Sequence, residues 1–516
     1  MPYMTKLEQR TAVADRPHTP PTPSTPRNLM TTVHAEHPLA TFNLVSIEAW
    51  ERFSFYGMQA ILAFYLYYSV SEGGIGIDKS HATALIGAYG ALVYLCTFAG
   101  GWVADRILGP ERTLLIGAGL LVAGHLILSL APHPVIGLAL GLSLIAVGSG
   151  SLKTAAITIL GAVYREDSHN ARETGFQFFY LGIQIVAILG PLITGWLAQA
   201  YSFHHGFLAA AALMIIGMIS YISLRRRMID ALDPDIRTTI TQPANPINTT
   251  YAIFIFSCGT VIFSGVVTMA ATGTIQPADL AFSLLIVTCL AALILLVVII
   301  RSPKTTTVER RKVIAFLPLF FASACFWAIM NQTYGVLAVY SDIRLNRMLF
   351  GFEIPAAWTQ SLNPFFVITF ALLLTFLWAK LGSKNPQPTT KLSLGVMIAS
   401  LSFFVFIPFA GGANNTTPFI IFAFAVWIAA IGELLCGPVG MAATAEHAPQ
   451  AYRTQFSALF FLTMAIGTSL AGTISRFYDP ENPQAEITYF LTCGISALII
   501  GLITLIFGRI LHQRLT

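Results

Sequence analysis

Fourteen apolar stretches, each long enough to cross roughly 30 Å of hydrocarbon, follow one another along the chain. They lie at 40–70, 84–104, 113–131, 134–160, 173–198, 207–224, 250–271, 279–300, 312–340, 357–379, 391–410, 417–444, 454–474 and 486–510. The runs are long and continuous, without the short alternating segments of a lipid-facing barrel, so the pattern predicts membrane-spanning helices. Ahead of them, residues 1–40 hold no apolar run, and the segment PHTPPTPSTP at 17–26 carries too much proline for a helix. A disordered tail is expected there, not a cleaved signal peptide.

Composition sharpens this picture. Of 516 residues, 55% are hydrophobic and 10% charged, against about 25% charged in soluble chains, and the mean hydropathy is +0.70. A net charge of +5 is too small and too scattered to suggest nucleic acid. Its placement is informative: among Lys and Arg in the connections, only Lys79, Arg344, Arg347 and Arg476 fall on the side away from the tail. Both termini are therefore expected in the cytoplasm of a multi-pass cell (inner) membrane protein. Arg52 and Lys153 belong to neither side and sit within the membrane. The six cysteines lie in apolar segments without CxxC spacing, which reads as reduced packing residues with no metal site.

The seventh and eighth stretches have almost no polar residues and are bracketed by basic connections, so they read as a hairpin inserted between two six-helix bundles. The expected division is a tail at 1–40, a bundle at 41–224, a linker at 225–249, the hairpin at 250–300, a second linker at 301–311 and a second bundle at 312–516. GGWVADRILGPERT after the second core helix is echoed weakly by WAKLGSKNPQPTTK after the eighth. Internal repeats of this kind build many secondary transporters, with the site at the midplane between halves.

A charged side chain at the bilayer centre costs at least about 2.5 to 3.5 kcal/mol, so each one asks for a reason. Glu48, Glu51, Arg52, Lys153 and Glu433 qualify, Glu433 being taken as the only acid buried in the C-terminal half. At about 100° per residue, Glu48, Glu51, Arg52, Phe55, Tyr56 and Gln59 share one face of the first helix. One reading is an internally neutralised cluster that holds helices together. The other is a charge switch: two acids and two cations balance, and a proton on one acid leaves a surplus cation able to hold an anion. A cationic wall facing Glu433 suits a zwitterion lying between them.

The stretch EAWERFSFYG at 48–57 resembles the ExxERFxYYG signature of the proton-dependent oligopeptide transporter family, in the major facilitator superfamily. GGWVADRILG at 100–109, GSGSLK ending at Lys153, FQFFYLGIQ at 176–184, FWAIMNQ at 326–332, QSLNP at 360–364 and GELLCGPVG at 432–440 resemble its further motifs. The resemblance implies an all-α polytopic fold of fourteen helices and proton-driven uptake of di- and tripeptides by alternating access. It implies proton coupling and carboxylate binding at Glu48, Glu51, Arg52 and Lys153. It implies substrate contacts at Tyr56, Gln59, Tyr94, Gln184, Trp327, Asn331, Asn363 and Glu433, with Asn363 and Glu433 at the peptide's amino end, and gating at Asp105, Arg106 and Arg112. The proton gradient would supply the energy without a cofactor. Peptides, protons and the lipid bilayer would be the partners of a monomer, with no nucleic acid.

Several positions depart from the pattern. Phe55 replaces a tyrosine, Gln59 stands where many members have an arginine, and Thr154-Ala155 follows the lysine in place of Pro-Asn. Gln184 replaces an asparagine, Asn331 stands where some members carry an acid, and Phe460 replaces a tryptophan. These bear on peptide length, side-chain preference and gating more than on proton coupling. A same-fold transporter of modified peptides, peptide-like drugs or small organic anions, and a peptide sensor that does not translocate, are the other readings. An intramembrane enzyme is disfavoured, since the chain has no HExxH, GxSxG or pair of intramembrane aspartates.

Overall fold

The computed structural model describes residues 38–164, 169–349, 351–381 and 386–515, so the expected tail lies outside the described residues except for its last three positions, which open the first helix. The chain is all-α. The first bundle comprises α1 (Pro38–Tyr67), α2 (Lys79–Val103), α3 (Pro110–Leu130), α4 (Pro134–Val163), α5 (His169–Ala200) and α6 (Phe203–Asp230). A short α7 (Pro234–Thr241) precedes the hairpin of α8 (Thr249–Ala271) and α9 (Pro277–Arg301). The second bundle comprises α10 (Thr307–Met330), α11 (Val336–Ile343), α12 (Leu362–Leu381), α13 (Pro388–Phe406), α14 (Phe419–His447), α15 (Arg453–Ser475) and α16 (Pro483–Leu515). Among the described residues, 12 helical spans have the length and apolarity to cross a membrane. α1, at 30 residues, has the length but carries Glu48, Glu51, Arg52 and Gln59 along its middle; α8 spans 23. Counting both gives the fourteen expected from the hydrophobic pattern.

The predicted 312–340 segment is not one helix. α10 ends at Met330, a single 3-10 turn covers Asn331–Thr333, and α11 resumes at Val336. The Asn331 side chain turns back on the helix end: its Nδ2 donates to the carbonyl of Trp327 at 2.8 Å, an oxygen that the Asn331 backbone amide also reaches. Irregular backbone at membrane depth is tolerated where it lines a cavity, and this turn does so.

Two buried apolar clusters form, one from the first bundle with α7, the other from α9 through α16. The bundles meet where α2 packs on α15, and α9 lies along that seam against both. Gly87 and Gly472 let the backbones touch: a Cβ on Gly87 would stand 2.3 Å from the Gly472 Cα. The face bearing the start of α1 is called here the basic face and the opposite one the far face.

Glu433 is not the only buried acid of the second half, as the sequence suggested. Glu486, in the first turn of α16, is 0% exposed. It accepts from the Gly411 amide at 2.6 Å and the Tyr478 hydroxyl at 2.9 Å, and pairs with Arg344 at 3.3 Å. Arg344 is itself buried and also donates to the carbonyls of Gly412 and Pro480. The hydropathy pattern missed this pair because both residues sit at helix ends, where a charge reads as a solvated loop. Removing one partner of a buried pair typically costs about 3 to 5 kcal/mol. Glu486→Ala should therefore lower the thermal unfolding midpoint of the purified protein by several degrees, with Glu486→Gln less harmful; an unchanged midpoint in the alanine variant would show the far-face loops to be held otherwise.

Candidate functional site

The polar face expected on α1 exists and is layered. The Arg52 Nε donates to Glu48 Oε1 at 2.9 Å, and its Nη2 lies 2.8 Å from the same oxygen. Arg52 Nε also stands 3.4 Å from Glu51 Oε2, and Lys153 Nζ from α4 lies 3.8 Å from Glu51 Oε1. Two acids and two cations thus form one chain, Glu48 to Arg52 to Glu51 to Lys153. Both carboxylates are fully buried, while the side chains of Arg52 and Lys153 keep 16% and 9% exposure. The cations line a cavity and the acids stand behind them.

Sequence reasoning missed one member. The Ser149 hydroxyl donates to Glu51 Oε1 at 2.5 Å. Its signal was available, since Ser149 is one helical turn before Lys153 on the same face. The Phe55 departure also acquires a role: the Lys153 ammonium stands over its ring at 4.1 Å, an attraction that a desolvated site strengthens to about 2 kcal/mol or more. The Thr154 departure ties α4 to α2, its hydroxyl donating to the Thr97 carbonyl at 2.8 Å.

The cavity, about 150 Å³, lies between the two bundles. Arg52, Tyr56, Gln59, Tyr94, Lys153 and Gln184 line it from the first, and Trp327, Asn331, Asn363 and Glu433 from the second. On the second wall the Asn363 Nδ2 donates to Glu433 Oε2 at 2.8 Å. The other Glu433 oxygen has no hydrogen-bond partner among the described residues, nor does Asn363 Oδ1. Tyr334 and Gln360 line the same space; neither bears a charge that would have marked it in the sequence. Phe460 packs edge-on behind Trp327, with centroids 6.5 Å apart, and does not reach the cavity. Phe326 is wholly buried in the core.

Asp105, Arg106 and Arg112 lie on the basic face and make no ion pair among the described residues; Asp105 and Arg112 are exposed. Their loop works through its backbone. The carbonyls of Asp105 and Arg106 accept from the amides of Asn245 at 2.9 Å and Ile247 at 3.1 Å, which pins the linker beyond α7. Gly109 permits this with φ +81°, and a Cβ there would strike the Thr241 carbonyl. The ion pair of this region is Glu111 with Arg225, joining α3 to α6, and the sequence reading did not single it out.

Among the described residues, side-chain bonds between the bundles gather on the far face. The hydroxyls of Tyr67 and Tyr68 donate to Asp342 at 2.7 and 2.8 Å, and Lys79 pairs with Glu481 at 3.4 Å. Trp358 Nε1 and the Ser361 hydroxyl donate to the carbonyls of Leu192 and Ile188 at 2.9 and 2.8 Å. The cavity is thus closed toward that face.

This chain matches the family model described as "POT family" over residues 111–489. It is 34% identical over 480 residues to the uncharacterized transporter YclF of Bacillus subtilis, covering 93% of this chain and 95% of that protein. It is 34% identical over 488 residues to the di-/tripeptide transporter of Lactococcus lactis subsp. cremoris, covering 92% and 95%. Among solved structures, it is similar to a peptide transporter POT in complex with sulfate, with TM-score 0.85, 37% identity and coverage of 92% and 95%. It is likewise similar to a POT family transporter in complex with 5-aminolevulinic acid, with TM-score 0.84, 31% identity and coverage of 91% and 96%.

The Tyr67 and Tyr68 latch carries its own test. A hydrogen bond to a charged group is worth about 1.5 to 3 kcal/mol, so losing two should shift the balance between closed and open far faces at least about tenfold. In a Thr333→Cys background, Tyr67→Phe with Tyr68→Phe should speed labelling of the cavity thiol by an impermeant maleimide added on the far side. Equal labelling rates with and without the tyrosine hydroxyls would remove the latch from the gate.

Proposed function

The chain belongs to the POT family, and from that premise we propose that it is a proton-coupled symporter that imports di- and tripeptides across the cell membrane by alternating access. One observation carries the reading: a single cavity between two bundles has Arg52 and Lys153 on one wall and Glu433 on the other. A peptide is a zwitterion. Its carboxylate fits the cationic wall and its ammonium fits the free oxygen of Glu433, with Asn363 orienting that carboxylate through its hydrogen bond.

Coupling follows from the layering. With Glu48 and Glu51 both ionised, Arg52 and Lys153 are neutralised from behind and have no charge to spare. A proton on either acid frees one positive charge toward the cavity, and the substrate carboxylate takes it up. Proton and peptide then bind more strongly together than apart, which is the reciprocity symport requires. Release on the other side reverses the order: once the proton leaves, the carboxylate reclaims its cation and the peptide is displaced.

In this reading the basic face is cytoplasmic, as the distribution of Lys and Arg supports, and both termini lie there. The bundles at 41–224 and 312–516 rock about the cavity, working as a monomer. Far-face closure describes a state ready to release inward. Asp105, Arg106 and Arg112 serve gating on the basic face, where the carbonyls of Asp105 and Arg106 hold the linker beyond α7.

The experiment is uptake of labelled dipeptide into proteoliposomes with and without an imposed proton gradient. Uptake should rise as the outside pH is lowered and stop accumulating when the gradient is dissipated. Glu48→Gln or Glu51→Gln should abolish gradient-driven accumulation in a folded protein, and Lys153→Ala should do the same. Wild-type-like acid-driven uptake in both glutamine variants would sink the coupling assignment.

A separate prediction concerns the amino end. A charge-assisted hydrogen bond of about 1.5 to 3 kcal/mol sets the loss in Glu433→Gln at roughly 10- to 150-fold in dipeptide affinity. N-acetylated dipeptides should compete poorly against wild type, and this penalty should shrink in the variant. Equal competition by free and N-acetylated dipeptides in wild type would move Glu433 to packing or proton handling.

A further inference from the structure

Among the described residues, a second cavity stands apart from the one between the bundles. It is a cleft of about 740 Å³ in the flank of the second bundle, between α15 and α16, with α10 as its floor. The two bundles differ here. In the first, α5 and α6 pack on each other as well as on α1; in the second, α15 and α16 both pack on α10 but hardly touch one another. The cleft begins at Phe477 and Asn482 on the far face and reaches Ile500. At 1.5 Å per residue, Asn482 to Ile500 is about 27 Å, somewhat more than one leaflet with its headgroups.

Its walls are graded. Gln484, Thr488, Thr492 and Ser496 recur every fourth residue along one face of α16 and open into the cleft, and the hydroxyls of the last three make no hydrogen bond among the described residues. Below them the wall is Ala497, Ile500 and Phe403. At the mouth, the Arg476 guanidinium stands 4.8 Å from the ring centroid of Phe477. Of the four basic residues on the far face, Lys79, Arg344 and Arg347 are ion-paired. Arg476 has no acidic partner among the described residues and is exposed.

We propose that this cleft is a binding site for one membrane phospholipid, its phosphate at Arg476, its ester region along the threonines and one acyl chain between α15 and α16. The grading selects this occupant. A cation at the mouth needs an anion, the threonine hydroxyls need acceptors just below it, and the apolar base needs a chain. A phospholipid supplies all three in that order. A bare hydrocarbon would leave the hydroxyls and the arginine unmatched. The site lies directly behind the transport cavity, because α10 presents Trp327 and Asn331 to that cavity and Ala328 and Ile329 to the cleft. An occupied cleft therefore props α15 and α16 apart on the helix that bears the substrate wall.

The test uses the full chain in liposomes containing a phosphatidylglycerol with a photoactivatable diazirine near the acyl terminus, followed by peptide mapping. Adducts should concentrate on 493–500 of α16 and 325–329 of α10. Ser496→Trp, or Thr492→Phe as a second way of filling the cleft, should reduce those adducts at least fivefold while labelling of the exposed Ile503 and Ile506 persists. Arg476→Gln, at an exposed position where folding is not at risk, should reduce them roughly fivefold, the weight of one basic residue at a lipid surface. Adducts spread evenly round the perimeter, or unchanged cleft labelling in the filled variants and in Arg476→Gln, would overturn the site.

Discussion

Everything in the first bundle is arranged around the cost of placing charge in hydrocarbon. An isolated ionised group in a medium of low dielectric is so unfavourable that it neutralises or finds a partner, and here four such groups find one another. Glu48, Arg52, Glu51 and Lys153 alternate in sign along a chain of contacts between 2.8 and 3.8 Å. α1 and α4 are held at the spacing this requires, with the Ser149 hydroxyl supplying a further donor to Glu51. Because the sum is zero, the cluster tolerates burial. It is zero only while both acids are ionised, and the proposed proton coupling rests on that condition.

The second bundle solves a different problem. Its cavity wall carries one carboxylate, Glu433, held by the neutral Asn363, so it contributes an unbalanced charge that the first bundle does not cancel internally. Asn331, where an acid would have added a second, instead turns its side-chain amide onto the Trp327 carbonyl at the end of α10. The heavier ionic work is moved to the far face, where Glu486 and Arg344 fasten the loops around α16. One bundle thus presents cations paired from behind by acids, and the other a carboxylate held by a neutral amide. In the proposed function that asymmetry gives a bound zwitterion a direction.

The residues that line the candidate site were legible in unusual detail because lipid removes ambiguity. In a soluble protein Glu51 or Lys153 would be one charge among many; in an apolar helix each stands out and demands a function. The positions that carried no charge were harder to read. Gln360 and Tyr334 line the cavity; Gln360 opens the QSLNP motif but was not singled out within it, and Tyr334 lies just past FWAIMNQ with no charge to mark it. Glu486 and Arg344 were misread for the opposite reason, since a charge at the end of a helix looks solvated until the loops above it are seen to close.

The sequence by itself determined the fourteen spans, the polar face of α1 and the identity of the charged residues at membrane depth. Hydrocarbon imposes those locally, residue by residue, through the length of an apolar run and the cost of a charge within it. Only the tertiary structure decided that the cations face the cavity while the acids lie behind them, that α10 breaks at Asn331, that the far face is the closed one, and that α15 and α16 part to leave a cleft. Each of these depends on which helices become neighbours, and hydrophobicity cannot specify that, because lipid and protein are equally apolar partners for a leucine or a phenylalanine. Close backbone approach at Gly87 and Gly472 and hydrogen bonds such as Tyr67 and Tyr68 to Asp342 make the choice, and they join residues hundreds of positions apart.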